Sequence, residues 1–220
     1  MFGAITIEMD GYNHIVHWKN NLEPCINYKN KKIRVIVDNE EIYIINMLLP
    51  KANRKVTKDI IKDELSFRFK NLDKIMFDYM ILKKSKKSIE VAVFCLNWNR
   101  GDFMNALVDK GAKIEGIYPL QLYMLKKFTN KIKDKSFYFI FLYEKSLYFI
   151  VAINKYLVMN KVYKKFNNID EKIDINQFKD KVNILYYANI DKNNLSGFMD
   201  EEINFVDLGH FQHADIFKSY

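Results

Sequence analysis

Apolar and polar residues alternate over 4–9 (AITIEM) and again over 13–18 (NHIVHW), with Asp10-Gly11 between the two runs. Alternation of this kind reads as half-buried strand, and Asp-Gly between two such runs predicts a hairpin. Residues 19–30 are polar and turn-rich, after which KKIRVIVD (31–38) and EIYIINMLL (41–49) read as a third and fourth strand. Pro50 ends the fourth strand because it has no amide hydrogen for a ladder. Asn53 is placed to cap a helix, and Val56, Ile60 and Leu65, with Ile61 and Phe69 beside them, form one apolar face at helical spacing. Strands are predicted at 75–82 and 88–96, joined by the basic turn KKSKK (83–87). A helix follows from Trp98 to Lys110, with Phe103, Ala106 and Leu107 inward and Gly111 as its stop. The strand AKIEGIY (112–118) then closes the unit.

Residues 41–118 thus have the order β-α-β-β-α-β, the ferredoxin-like split motif, which specifies a fold but no chemistry. After Pro119 the pattern gives a helix (LQLYMLKKFTNKI, apolar at Leu122, Leu125 and Phe128) and strands at 137–143, 147–153 and 156–163. Asn154-Lys155 makes a tight turn between the last two, since Asn tolerates positive φ. A polar helical stretch at 168–180, strands VNILYYAN and INFVDL and a short terminal helix complete the reading. The architecture expected is an α/β core in two parts, 1–40 and 119–220, interrupted by the ferredoxin-like unit at 41–118.

Composition narrows the function more than it specifies it. Of the 220 residues, 49% are apolar and 15% aromatic, which excludes global disorder. The net charge is +8, but Lys and Asn are abundant throughout, Asn occurring 23 times, and the aromatics fall in apolar strand runs and not among the lysines. Nucleic-acid binding is therefore not expected. Cys25 and Cys95 sit in no metal or redox spacing and fit a reducing compartment. The start, MFGAITIEMDG, lacks the basic and apolar regions of a signal peptide. The most apolar run, 137–153, carries Glu144 and Lys145 at its centre, each costing about 2.5–3.5 kcal/mol in a bilayer core, so a hairpin is expected there. His14 and His17 fall on opposite faces of a strand and cannot share a metal; His210 and His213 have no Cys or carboxylate at ligand spacing. Glu8, Asp10, Asp78 and Asp207 are the strand carboxylates available to a metal nuclease, but Asp78 belongs to the central unit. No Walker motif, nucleophile elbow or triad spacing occurs.

Three passages carry a resemblance. IINMLLPKANRKVTKDIIKDELSFRF looks like a strand, Leu-Pro and the helix opening an inserted subdomain; FDYMIL (77–82) matches a Phe-Asp-Tyr strand; NRGDFMNALVDKGAKIEGIYPLQLYML (99–125) is similar to a helix–Gly–strand–Pro–helix passage. Over residues 41–128 this series resembles the actin-like proteins of bacterial pilus and secretion machines, PilM of type IV pilus assembly and the cytoplasmic part of GspL (EpsL) of type II secretion. The resemblance implies a degenerate actin-like (ribonuclease H-like) core with an inserted ferredoxin-like βαββαβ subdomain. It further implies a non-catalytic cytoplasmic scaffold, recruited to the inner face of the cell membrane, that docks an assembly ATPase and a PilN-like platform protein. Membrane association would be indirect or through segments outside this chain. INMLLPKANRK itself looks like the partner's peptide, but its place between strand and helix reads as core strand.

An actin-like nucleotide site needs two phosphate hairpins carrying Asp and Gly, and a Gly-rich adenosine loop, because glycines let backbone amides approach phosphate and carboxylates hold hydrated Mg²⁺. Here the first hairpin, IEMDGYNHI, has Asp10-Gly11 without the Asp-x-Gly pattern, and the second, FLYEKSLYF, offers only Glu144. With seven glycines, no Gly-Gly pair and a chain expected to stop before a full second actin-like half, the expectation is no enzyme activity, no cofactor and no metal. The alternative is an actin-like ATP-binding protein with a divergent pocket. Strand edges and grooves around 42–48 and 75–82 are the expected partner site, with Ile44, Asn46, Phe77 and Tyr79 as its residues. Lys83, Lys84, Lys86 and Lys87 form a candidate basic contact.

Overall fold

The protein is described here from a computed structural model covering residues 5–10, 13–18, 21–22, 28–98, 101–164, 176–198 and 203–212. In chain order the elements begin with β1 (Ile5–Asp10), β2 (Asn13–Trp18), β3 (Asn21–Leu22), β4 (Lys32–Val37) and β5 (Ile42–Pro50). Helix α1 (Arg54–Arg68), β6 (Ile75–Lys84), β7 (Ser88–Asn97), α2 (Gly101–Asp109), β8 (Lys113–Pro119) and α3 (Leu120–Phe128) follow. The last strands are β9 (Phe137–Tyr143), β10 (Ser146–Ile153), β11 (Tyr156–Tyr163), β12 (Ile184–Ala188) and β13 (Asn204–Asp207). The chain divides into two compact units, one of Met1–Asn39 with Asn105–Tyr220 and one of Glu40–Met104.

The first unit holds two five-stranded sheets of the same topology. Their orders are β3-β2-β1-β4-β8 and β11-β10-β9-β12-β13. In each, an antiparallel meander is extended by two parallel strands, β4 and β8 in the first and β12 and β13 in the second. Among the described residues the second sheet thus has as many strands as the first, in the same order. Its fifth strand is only four residues long, too short for its pairing partner to be read from a pattern.

The second sheet is buried on both faces. One face of β9 and β10 contributes Tyr138, Ile140, Leu147, Phe149 and Val151 to a core with Leu185 and Leu195. The other carries Phe139, Phe141 and Tyr148, the last two stacked at 4.7 Å, and Phe128 of α3 meets Phe139 edge-on. Helix α3 accordingly buries Leu120, Gln121, Met124 and Phe128, with Leu122 and Leu125 only half-buried. The expected inner face was rotated because α3 packs against β4 and β8 as well as the second sheet. The expected turn at Asn154-Lys155 is present, both residues having positive φ (52° and 69°).

The second unit is a three-stranded antiparallel sheet, order β5-β7-β6, with α1 on one face. Asn53 caps α1, its side chain accepting the Val56 amide at 3.0 Å. Ile61 and Leu65 are buried beneath it, whereas Val56 is exposed. In α2, Met104 and Leu107 are buried, Phe103 half-buried and Ala106 exposed, and Gly111 (φ +81°) terminates the passage as expected. The ferredoxin-like reading needs one correction: β8 does not join this sheet but pairs in parallel with β4 of the first unit. A short strand satisfies its hydrogen bonds equally well in either sheet, so element order alone could not assign it. The expected helix at 168–180 lies mostly outside the described residues, which show only a single 3-10 turn at Asn176–Phe178; the expected terminal helix lies wholly outside them.

Candidate functional site

The two sheets of the first unit bring the two expected phosphate hairpins together. Glu8, on β1, is buried, and its carboxylate accepts a hydrogen bond from the hydroxyl of Tyr143 at the end of β9. Asp38 and Asn39, just past β4, stand beside them. The Asn39 amide donates to the Tyr148 hydroxyl at 2.8 Å, and its side-chain oxygen accepts from Ser146. Asn39 also donates to Asp38 at 3.2 Å and has φ +55°, a left-handed geometry that Asn tolerates better than most residues. The result is a buried polar latch between hairpins.

The electrostatics hold that latch neutral on the tyrosine side. Burial pushes the Tyr143 hydroxyl far above its ordinary range, and the charges of Glu8, Glu144 and Asp38 together with the Glu8 hydrogen bond push it the same way. Tyr143 is thus a proton donor at any physiological pH. Next to the latch an open depression of about 510 Å³ lies at the carboxyl ends of β9 and β12, lined by Leu142, Glu144, Asn189, His210, Phe211 and Gln212. Asn189 builds its wall: it accepts from the Phe211 amide at 2.7 Å and donates to the Phe211 carbonyl at 2.9 Å.

Two of the strand carboxylates are engaged locally. Asp78 lies in the second unit and pairs with Lys58 at 3.6 Å, and Asp207 accepts from the Gly209 amide at 2.7 Å. The side chains of Asp10, His14 and His17, and residue His213 altogether, lie outside the described residues. Among the described residues no group of three His, Cys, Asp or Glu side chains stands close enough to hold a metal ion. No helix among them is long and apolar enough to cross a membrane, and the apolar run at 137–153 forms the β9–β10 hairpin.

The four expected partner residues separate onto two surfaces. Register places Tyr43 and Phe77 opposite Cys95, and Phe77 and Tyr79 pack in the core cluster under α1. Ile44 and Asn46 occupy the opposite face of β5, half-buried and exposed respectively. The four lysines of the 83–87 turn are all exposed.

Sequence reasoning missed Tyr143, Asn39, Ser146 and Tyr148. One local signal existed: an Asn directly after a buried strand that ends in Asp, a place where left-handed backbone is common. The partners of that Asn are more than a hundred positions away.

No family model and no curated protein matches the sequence. Solved structures do match. A chain of the PilM–PilN type IV pilus biogenesis complex superposes with a TM-score of 0.50 at 10% identity, over 73% of this chain and 60% of that one. A protein of unknown function from Bacteroides thetaiotaomicron with an actin-like ATPase fold gives 0.51 at 11% identity, covering 92% and 93% of the two chains. The cytoplasmic domain of EpsL, an inner-membrane component of the type II secretion system of Vibrio cholerae, gives 0.50 at 8% identity, covering 94% and 87%.

The fold is actin-like. At these identities the likeness concerns the fold and nothing finer. The two equivalent five-stranded sheets are its internal signature in this chain, which spans 60% of the chain it matches in the pilus complex.

Proposed function

We propose that this actin-like chain is a non-catalytic cytoplasmic scaffold of a type IV pilus or type II secretion-like assembly. It docks an inner-membrane platform protein of the PilN kind and an assembly ATPase, and is recruited to the inner face of the membrane through them. The observation that carries this reading is the latch. Where an actin-like nucleotide site would set phosphate between two hairpins, Glu8 and Tyr143 meet directly, and the buried carboxylate would repel phosphate. The fold shared with a PilM–PilN complex and the EpsL cytoplasmic domain supplies the context.

Docking by strand addition suits β5, an outer strand of its sheet. Residues 43–49 (YIINMLL) carry no charge, and the strand's one Pro, Pro50, stands at its end, so little opposes pairing along this stretch. The other edge, β6, has Asp78, a register shift between Ile81 and Lys83, and two terminal lysines, all of which oppose pairing.

Titration calorimetry tests both halves of the reading. ATP–Mg²⁺ should give no heat with the folded chain. The cytoplasmic N-terminal peptide of the cognate platform protein should bind, and Ile44→Lys should weaken it by about tenfold or more. Micromolar ATP–Mg²⁺ binding that Asp10→Ala abolishes would instead support an actin-like ATP-binding protein with a divergent pocket.

A further inference from the structure

We propose that the end of the second unit where the β6–β7 turn meets the β5–α1 junction is a contact surface for anionic lipid headgroups. Sequence shows only the KKSKK turn. The fold adds a second basic segment, because Pro50 lies opposite Ser88 and the Lys51 amide donates to the Lys87 carbonyl at 3.0 Å. Lys51, Arg54 and Lys55 therefore stand at the same end as Lys83, Lys84, Lys86 and Lys87, and every one of the seven is exposed. Across residues 48–56 and 82–90 the single acid is Glu90.

Two further features select a bilayer over other polyanions. The turn is braced, with the Ser88 amide donating to Ser85 Oγ at 2.9 Å and the Ser85 amide to the Ser88 carbonyl at 2.8 Å, so the lysines project from an ordered base. Exposed aliphatic side chains sit among the charges: Leu48 is 74% exposed and Val56 43%. Leu48 is in the same cross-strand row as Lys83, both opposite Glu90. Lysine point charges beside aliphatic side chains match a headgroup layer over acyl chains. Nucleic-acid surfaces instead rely on stacking aromatics and forked arginines, and here neither segment has an aromatic and only one residue is Arg. The unit's exposed aromatics, Tyr43 and Phe67, belong to the far ends of β5 and α1. This contact does not depend on the scaffold role.

The test is flotation of the full chain with phosphatidylcholine vesicles, with and without phosphatidylglycerol, across a salt series. Binding is expected only with phosphatidylglycerol and should fade as salt rises. The variant K83Q/K84Q/K86Q/K87Q should lose at least about fiftyfold in partitioning, since each lysine near an anionic surface contributes about fivefold. The separate variant K51Q/R54Q/K55Q should weaken binding as well, which a turn acting alone would not produce. The control K110Q/K113Q, in the first unit, should leave it unchanged. Equal binding to pure phosphatidylcholine, undiminished binding by the quadruple variant, or an equal loss in the control would overturn the proposal. So would stronger lysine-dependent binding to polyglutamate or single-stranded DNA under conditions where the vesicles are not bound.

Discussion

The two five-stranded sheets of the first unit share one topology and use it differently. Each places an Asn with φ +55° shortly after the first of its two added parallel strands, Asn39 after β4 and Asn189 after β12. Asn39 reaches across to the other sheet, bonding Ser146 and Tyr148 of β10. Asn189 stays within its own half, pairing with the Phe211 backbone and shaping the depression. A repeated backbone device thus closes one strand end against its counterpart and leaves the other open. The lesson is that two sheets of one topology can turn the chain at the same place, while the side chains that face each other decide whether a cleft exists.

Four experiments would sharpen or break that contrast. The largest effect belongs to the core beneath the second sheet: Phe149→Ala should cost about 3–5 kcal/mol, against about 1 kcal/mol for Ile7→Val in the first, measured by denaturant unfolding. A loss below about 1 kcal/mol for Phe149→Ala would mean that this ring is not part of a close-packed core.

Next comes the latch. Tyr143→Phe leaves the buried Glu8 carboxylate without this donor and should cost about 2–3 kcal/mol, which for a chain of this size lowers the melting temperature by about 2–4 °C per kcal/mol. A double-mutant cycle with Glu8→Gln should show coupling of about 1 kcal/mol or more. A neutral Tyr143→Phe would remove the argument that the cleft is held shut.

The two asparagines come third. Asn39→Ala and Asn189→Ala should each cost about 1–2 kcal/mol through lost hydrogen bonds and left-handed backbone. Only Asn39 should couple to Ser146→Ala, by about 0.5 kcal/mol or more. Coupling of Asn189 to Ser146 as well would mean that the two asparagines do not differ in this way.

The smallest effect is alkaline. Burial raises the Cys95 thiol from 9.0 to about 11 and the Tyr138 hydroxyl from 10.0 to about 12, and Tyr143 rises further still. The unfolded chain then releases these protons first, so stability is full below about pH 9 and falls as pH rises, steepening past pH 10. The loss from each raised tyrosine is about 1 kcal/mol one pH unit above its ordinary value. Tyr143→Phe should make the decline shallower, as a thermal-melt series from pH 8 to 11 would show.

What the sequence determined by itself was local. The Asn53 cap, the Asn154-Lys155 turn, the Gly111 stop and the strand alternation each depend on residues within a few positions of one another, so their physics is written in consecutive letters. Tertiary structure decided which partner each element found. Strand β8 left the ferredoxin-like order to pair with β4, and cross-strand register through β7 put Phe77 and Tyr79 under α1 and Ile44 on the opposite face. Lys51 came to Lys87 by the pairing of β5 with β7. The latch joins Glu8 to Tyr143 across 135 positions, and hydrogen bonding at that separation depends on where two sheets meet, which no window of sequence contains.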